Sequence, residues 1–323
     1  MQMSGDLSTK CPSQDEKYIN TTNMIFDALI VGGGPAGLSA ALALARVQRT
    51  ALVFDSGHYR NEKVTAMHTV LTRDGTPPTE FRQIARSQIE DKYPHIHFSR
   101  AKIHHASHTE IGDGYMGYQV ADTYNAVYKG RKLILALGSQ DVLPMNIEGY
   151  QENWASHIAS SVMAMKSEAI VGVRLDERPI RRLINQGDTI GIEFRDSQAV
   201  TLSMLLHKPP IINRSQALID QLGLAKMEHS AEVMVNQLFC ESSLPGCFVA
   251  GDGGQLVKQV ATAMSTGFRA AGGVSLQLCN EEGARALAAW ERENGEARIQ
   301  SRMMTMGTSS LEDLEISVWI RFH

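Results

Sequence analysis

Three glycines in one short segment are the strongest chemical signal in this sequence. Gly32, Gly34 and Gly37 follow the pattern Gly-x-Gly-x-x-Gly. In this pattern the first glycine allows a tight turn, the second lets backbone N–H groups approach a pyrophosphate, and the third lets a helix pack against a strand. Asp55 lies 18 positions after Gly37, close to the spacing of about 20 at which an acidic residue binds both ribose hydroxyls. The segment therefore predicts a dinucleotide without a 2′-phosphate.

The elements around these glycines are the ones that the pattern requires. Residues 26–31 are an apolar run of strand length, residues 38–45 are rich in Ala and Leu, and residues 50–54 form a second apolar run. The helix that follows the glycines would direct its positive N-terminus at the pyrophosphate. The alternative is a glycine-rich turn in an ordinary strand–helix–strand unit, but it gives no reason for all these features to occur together.

Composition excludes several classes of protein. The chain has 323 residues, of which 43% are hydrophobic and 20% charged, which predicts two compact domains or one large one. The 31 basic and 35 acidic residues nearly cancel, so a strongly basic nucleic-acid binder is not expected. No apolar run approaches the roughly 20 residues that span a bilayer. Residues 1–23 are polar, and the four cysteines contain no Cys-x-x-Cys pair. We therefore expect an N-terminal arm rather than a secretory signal, and a cytoplasmic protein.

A second segment near the C-terminus completes the nucleotide site. Residues 244–252 read as a turn, a short apolar strand and then Gly251-Asp252. The residues that follow predict one helix over 258–278 and another over 281–292. Two halves of one site that lie so far apart along the chain predict a domain interrupted by an insertion.

Taken together, these segments resemble the thioredoxin-reductase-like FAD flavoproteins of the class II pyridine nucleotide-disulfide oxidoreductase family, particularly members from fungal secondary metabolism. The matching stretches are 28–61, 67–75, 130–144, 207–210 and 244–267, about a quarter of the chain. The resemblance implies FAD as cofactor and a homodimer. It also implies an α/β fold in which a Rossmann-like, three-layer FAD-binding domain is interrupted by a small truncated second domain.

The resemblance also assigns roles to residues of this chain. In the family, the residue matching Asp252 binds the flavin ribityl chain, and the helix start at Lys258 directs backbone N–H groups at the flavin pyrimidine edge. Such donors stabilise negative charge on a reduced flavin. The residues predicted to bind the cofactor are Gly32, Gly34, Pro35, Ala36, Gly37, Asp55, Ser56, Arg60, Asn61, Gly138, Asp252, Lys258, Gln259 and Val260.

The segment between the two halves is too short for the family's NADPH-binding domain. Residues 150–206 amount to 57 residues and contain no second glycine fingerprint. Ser161 and Ala164 align where the family has its redox cysteines, and serine cannot exchange with disulfides. The predicted organisation is an arm over 1–23, the FAD-binding domain over 24–149 and 207–293, a remnant of the NADPH-binding domain over 150–206, and a C-terminal tail over 294–323.

These losses leave several reactions open. One is an oxidase or dehydrogenase, in which a small-molecule substrate gives a hydride to FAD and molecular oxygen or another acceptor takes the electrons. Others are a cyclisation, elimination or isomerisation in which FAD has no redox role, residual NAD(P)H-dependent reduction, and a non-catalytic FAD-binding scaffold. An oxidation needs a base, and histidine titrates near neutral pH. His68 is the first candidate and His157 the second. No metal site is predicted.

Overall fold

The computed structural model describes residues 24–159 and 176–305, and it describes side chains as far as residue 295. The predicted N-terminal arm, Ser161, Ala164 and the last part of the predicted tail lie outside the described residues. By its internal contacts the chain divides into two units, Met1–Ser275 and Leu276–His323. The boundary between these two units differs from the predicted domain boundaries. The predicted domain organisation stays a prediction.

The regular elements occupy most of the first unit. The strands are β1 (Ile25–Val31), β2 (Ala51–Phe54), β3 (Ile96–Ser99), β4 (Ile103–Gly112), β5 (Tyr115–Asp122), β6 (Val127–Leu135), β7 (Ser139–Asp141), β8 (Ile158–Ala159), β9 (Ile180–Asn185), β10 (Ile190–Phe194), β11 (Val200–Leu202), β12 (Leu205–Leu206), β13 (Ile211–Asn213) and β14 (Cys247–Val249). The α-helices are α1 (Pro35–Arg46), α2 (Pro78–Glu90), α3 (Tyr150–Asn153), α4 (Gln216–Gln221) and α5 (Val260–Thr305).

One sheet of seven strands organises the part of the chain that the structure describes. Its order is β3-β2-β1-β6-β5-β4, and β14 pairs with the C-terminal half of β6. β1, β2, β3, β6 and β14 run parallel, whereas β4 and β5 are antiparallel to their neighbours. Parallel strands are covered on both faces, which explains why β1 and β2 are continuous apolar runs. The predicted α/β fold class is confirmed.

The final helix differs from the prediction. The sequence predicts two helices over 258–278 and 281–292, followed by a tail from residue 294, but α5 is one helix of 46 residues, Val260–Thr305. Cys279 and Asn280 fall in the expected gap, and both cost a helix well under about 1 kcal/mol. Neither of these two residues is proline or glycine, so nothing ends the helix there.

The segment between the two halves of the FAD-binding sequence contains a small antiparallel sheet. Strands β9, β10 and β11 pair in the order β11-β10-β9, and a turn at Gly187 joins β9 to β10. Leu183, Ile190 and Phe194 pack there with Tyr150. The short strands β8 and β12 pair in parallel where the chain enters and leaves this segment. No helix within the described ranges is long and apolar enough to cross a membrane.

Candidate functional site

A cleft lies at the carboxyl ends of the parallel strands. Its walls are the loop after β1, the end of β2 with the loop that follows, the residues after β6, the 3-10 helix Gly251–Gly253 and the start of α5. The cleft holds about 820 Å³ of space without atoms, including solvent at its mouth. Ligands of open α/β sheets bind at this edge. The residues that line it include all the predicted cofactor-binding residues except Gly37: Gly32, Gly34, Pro35, Ala36, Asp55, Ser56, Arg60, Asn61, Gly138, Asp252, Lys258, Gln259 and Val260.

Two glycines of the fingerprint are required by close backbone approach. A Cβ at Gly32, where φ is +124°, would lie 2.3 Å from the carbonyl oxygen of Ala136. A Cβ at Gly37 would lie 1.8 Å from the carbonyl oxygen of Gly32. Gly37 is therefore beneath the cleft rather than in its wall, where it allows α1 to pack against β1, as the fingerprint predicts.

The start of α1 fits a diphosphate. Gly34 is its N-cap and provides no side chain to cap the helix, and the first turn contains no acidic residue. A Cβ at Gly34 would meet nothing within 4 Å, so the backbone at this position is open to the cleft. Uncapped N–H groups and the positive end of the helix dipole favour a phosphate group here. The residues present thus fit the diphosphate of a dinucleotide.

Asp55 follows β2 and is tightly hydrogen-bonded on one side. The Tyr59 hydroxyl donates to both carboxylate oxygens, at 2.7 and 2.6 Å, and the N–H of Gly57 donates to Oδ1 at 3.1 Å. Burial and this carboxylate raise the pKa of Tyr59, so the phenol stays a donor. The Arg82 guanidinium lies 3.6 Å from the centre of the Tyr59 ring. Tyr59 and Arg82 were not among the predicted site residues, since neither belongs to the fingerprint.

Arg60 joins two carboxylates from distant parts of the chain. Its Nε and Nη2 donate to Asp141 on β7 at 2.9 and 2.7 Å, and its Nη1 donates to Asp252 Oδ2 at 3.1 Å. Burial alone would lower the pKa of Arg60, but the two carboxylates outweigh it and raise the pKa above its ordinary value. The Ser139 hydroxyl donates to the same Asp252 oxygen at 2.7 Å. Asp141 and Ser139 are further residues that sequence reasoning missed.

This arrangement prepares Asp252 for a ligand. Both donors act on Oδ2, and among the described residues Oδ1 accepts no hydrogen bond. A carboxylate has about four lone-pair positions, so Oδ1 keeps its capacity to accept hydrogen bonds from hydroxyl groups of a bound molecule. Arg60 thus holds Asp252 in place, while Asp252 itself lines the cleft.

The ammonium of Lys258 is directed into the protein. Nζ donates to a carboxylate oxygen of Glu232 and to the carbonyl oxygens of Asp252 and Gln255, the latter two at 2.8 and 2.9 Å. These bonds use all three ammonium protons. Lys258 therefore contributes to the cleft through its backbone and stem, next to Gln259 and Val260 at the start of α5.

The two histidines proposed as bases do not line the cleft. The His68 side chain is 56% exposed, with Nδ1 3.8 Å from Asp74 Oδ1. Its neighbour Thr69 reaches the cleft residue Gln259, with 3.5 Å between Oγ1 and Oε1. The His157 residue is half-buried, and its Nε2 lies 2.9 Å from the carbonyl oxygen of Gly187, in the small antiparallel region. The catalytic role of either histidine stays a prediction.

Comparison with known proteins places this cleft in a wider context. The family model described as pyridine nucleotide-disulphide oxidoreductase matches residues 26–194. Thioredoxin reductase tcpT from Claviceps purpurea is 34% identical, over 80% of this chain and 96% of that protein. Thioredoxin reductase sirT from Leptosphaeria maculans is 30% identical, over 80% and 95%. The solved oxidoreductase from Agrobacterium tumefaciens superposes with a TM-score of 0.68 at 26% identity, over 79% of this chain and 99% of that structure.

Proposed function

Because the chain belongs to the pyridine nucleotide-disulphide oxidoreductase family and binds FAD, we propose that it is an FAD-dependent oxidase or dehydrogenase. It acts on a small-molecule intermediate, in the tailoring of a fungal secondary metabolite, without NADPH and without a dithiol relay. The substrate loses two electrons and two protons, and molecular oxygen or another acceptor takes up the electrons. The observation that carries this proposal is the shortened segment between the two halves of the FAD-binding sequence.

The alignment with the Claviceps protein supports a deletion in this chain relative to that protein. The alignment runs over 313 positions and covers 80% of this chain, which is about 258 residues. About 55 positions of the alignment are therefore gaps in this chain. The described part of residues 150–206 adds a second support, because strands β9–β11 form an antiparallel sheet instead of the parallel strand–helix–strand unit that a nucleotide requires.

The residues of the cleft have distinct roles in holding FAD under this proposal. FAD, when bound, supplies the two-electron chemistry. The start of α1 would hold its diphosphate, Asp55 its adenosine ribose and Asp252 its ribityl hydroxyls. The first N–H groups of α5 would favour negative charge on the flavin ring. The shortened second domain would leave room for a small-molecule substrate.

His68 is the base that the contacts support best. Met67 and Val70, on either side of it, pack with Phe81 and with Val260 in the first turn of α5. This packing holds the loop against the helix that begins at the cleft. The exposed ring can pass its proton to solvent. His157 belongs to another region and is the second candidate.

An anaerobic absorbance experiment tests the proposal. Purified protein should carry an oxidised flavin spectrum that NADPH does not bleach, whereas candidate pathway intermediates should bleach it, and oxygen should restore it. Rapid stoichiometric bleaching by NADPH would refute the proposal. Turnover in the absence of oxygen with the flavin still oxidised would instead favour an isomerisation, cyclisation or elimination. The variant His68→Gln should keep FAD and lose most substrate oxidation, while His105→Gln, at an exposed position on β4 outside the cleft, serves as a matched control for a general effect of losing a histidine.

We also propose that the protein is a cytoplasmic homodimer. Within the second unit, the side chains of Leu276, Leu287 and Trp290 on α5 are 47%, 54% and 58% exposed. Their spacing places them on one face of the helix, as expected for a surface that another protein covers. Sedimentation velocity should give the mass of a dimer, and the double variant Leu287→Glu and Trp290→Glu should give a monomer.

A further inference from the structure

An ion pair lies beneath the loop that leads into α5. The carboxylate of Glu232 accepts a hydrogen bond from Lys258 Nζ through one oxygen and from the Ser230 hydroxyl through the other. The side chains of Glu232 and Lys258 are each only 11% exposed. A pair this well buried interacts more strongly than a surface pair and is little screened by salt.

The same pair organises the backbone of the cleft. Lys258 Nζ also binds the carbonyl oxygens of Asp252 and Gln255, at 2.8 and 2.9 Å. On the other side, the N–H of Val233, next to Glu232, donates to the carbonyl oxygen of Gly253 at 2.8 Å. The loop from residue 252 to residue 258 is therefore closed over the Glu232 carboxylate.

The charges of the pair act on the cleft through space. Every ammonium proton of Lys258 is used inside the protein, yet the residue lines the cleft beside Gln259 and Val260. A positive charge at this place adds to the positive end of the α5 dipole, and Glu232 offsets it. The net field at the start of α5 thus depends on a carboxylate that does not line the cleft.

We propose that Glu232 is a positioning residue that sets the reduction potential of the bound FAD through Lys258. Reduced flavin gains negative charge, and positive charge near the ring favours it. By balancing Lys258, Glu232 keeps the cofactor easier to reoxidise. The inference rests on the proposed function in one respect, namely that the flavin ring lies beside residues 258–260.

Potentiometric titration against a reference dye tests this inference on the FAD-loaded protein. Glu232→Gln keeps the shape and an acceptor oxygen for Lys258 but removes the negative charge. It should raise the potential by about 30 mV, the two-electron equivalent of a tenfold change in the ratio of oxidised to reduced flavin. Lys258→Gln should shift the potential in the opposite direction. The double variant has no charge at either position, so its net charge there equals that of the original ion pair. Its reduction potential should therefore differ from that of the unmodified protein by no more than about a third of either single-variant shift.

A surface pair provides the matched control. Asp220 and Lys226 are 2.8 Å apart, with side chains 58% and 37% exposed, and Asp220→Asn should leave the potential unchanged. If Glu232→Gln does not retain FAD, the other two variants still test the inference. Lys258→Gln should lower the reduction potential, and the double variant should leave it nearly unchanged. Unchanged potentials in FAD-loaded variants would overturn the inference and leave the pair with a folding role alone. If the reduction potentials of Glu232→Gln and Lys258→Gln shift in opposite directions and NADPH also bleaches the bound flavin, the inference is supported and the oxidase proposal is refuted.

Discussion

Replacing Arg60 by methionine should separate the two carboxylates that it joins and weaken FAD binding. Methionine retains much of the length of the side chain and removes the charge and the three hydrogen bonds to Asp141 and Asp252. The side chain of Asp141 is 8% exposed and that of Arg60 is 23% exposed. Removing one member of a buried ion pair costs about 3–5 kcal/mol, and the partial exposure of Arg60 places the expected loss of stability near the lower value.

The loss should appear in two measurements. Urea unfolding of the FAD-free protein should give a free energy of unfolding lower by about 3 kcal/mol. The dissociation constant of FAD, measured by the fluorescence of the free cofactor, should rise at least about tenfold, because Asp252 no longer has a fixed orientation. The double variant Arg60→Met and Asp141→Asn should recover part of the stability, since it leaves no unpaired buried charge at Asp141.

Arg182→Met is the matched control for this prediction. Arg182 pairs with Glu148 at 3.3 Å, with side chains 45% and 71% exposed, and such surface pairs contribute about 0–1 kcal/mol. The control should therefore change neither measurement appreciably. If Arg60→Met unfolds and binds FAD like the unmodified protein, the proposed role of Arg60 in orienting Asp252 is wrong.

Three further predictions test other parts of the site. Gly37→Ala should abolish FAD binding or folding, because the added Cβ would lie 1.8 Å from a carbonyl oxygen of the glycine loop; circular dichroism and bound flavin absorbance check this. Tyr59→Phe should lower the free energy of urea unfolding by about 1.5 kcal/mol, because Asp55 loses a charge-assisted hydrogen bond. The exposed Tyr124→Phe should have no such effect. Burial lowers the pKa of His207 below its ordinary value of 6.5, so the unfolded chain binds the proton more readily and stability should fall as the pH drops below 6.5. Unfolding of His207→Asn between pH 7 and pH 5 should show a weaker pH dependence, and an unchanged slope would contradict this assignment.

Much of the cofactor site could be predicted from the sequence because its signals are local. The apolar run of β1, the glycines after it and Asp55 at the end of β2 lie within about thirty residues and imply one another by known spacing. The Gly251-Asp252 segment before α5 has a similar local pattern. The structure brings these residues to the same cleft, because β1 and β14 both pair in parallel with β6, and β2 pairs in parallel with β1.

The partners of these residues were not predictable in the same way. Arg60 lies 81 positions from Asp141 and 192 from Asp252, and Glu232 lies 26 positions from Lys258. No periodicity or spacing relates residues at such separations. The continuation of α5 through residues 279 and 280 was also missed, because two weakly unfavourable residues look like a helix end when local propensity is considered alone.

The sequence by itself therefore determined which dinucleotide-binding elements are present and in what order. It also showed that a second glycine fingerprint is missing between them. Only the tertiary structure decided which charges meet at the cleft: Tyr59 on Asp55, Arg60 between Asp141 and Asp252, and Lys258 on Glu232. The physical reason is that backbone conformation follows from neighbouring residues, whereas ion pairs form wherever the completed sheet brings distant side chains within hydrogen-bonding distance.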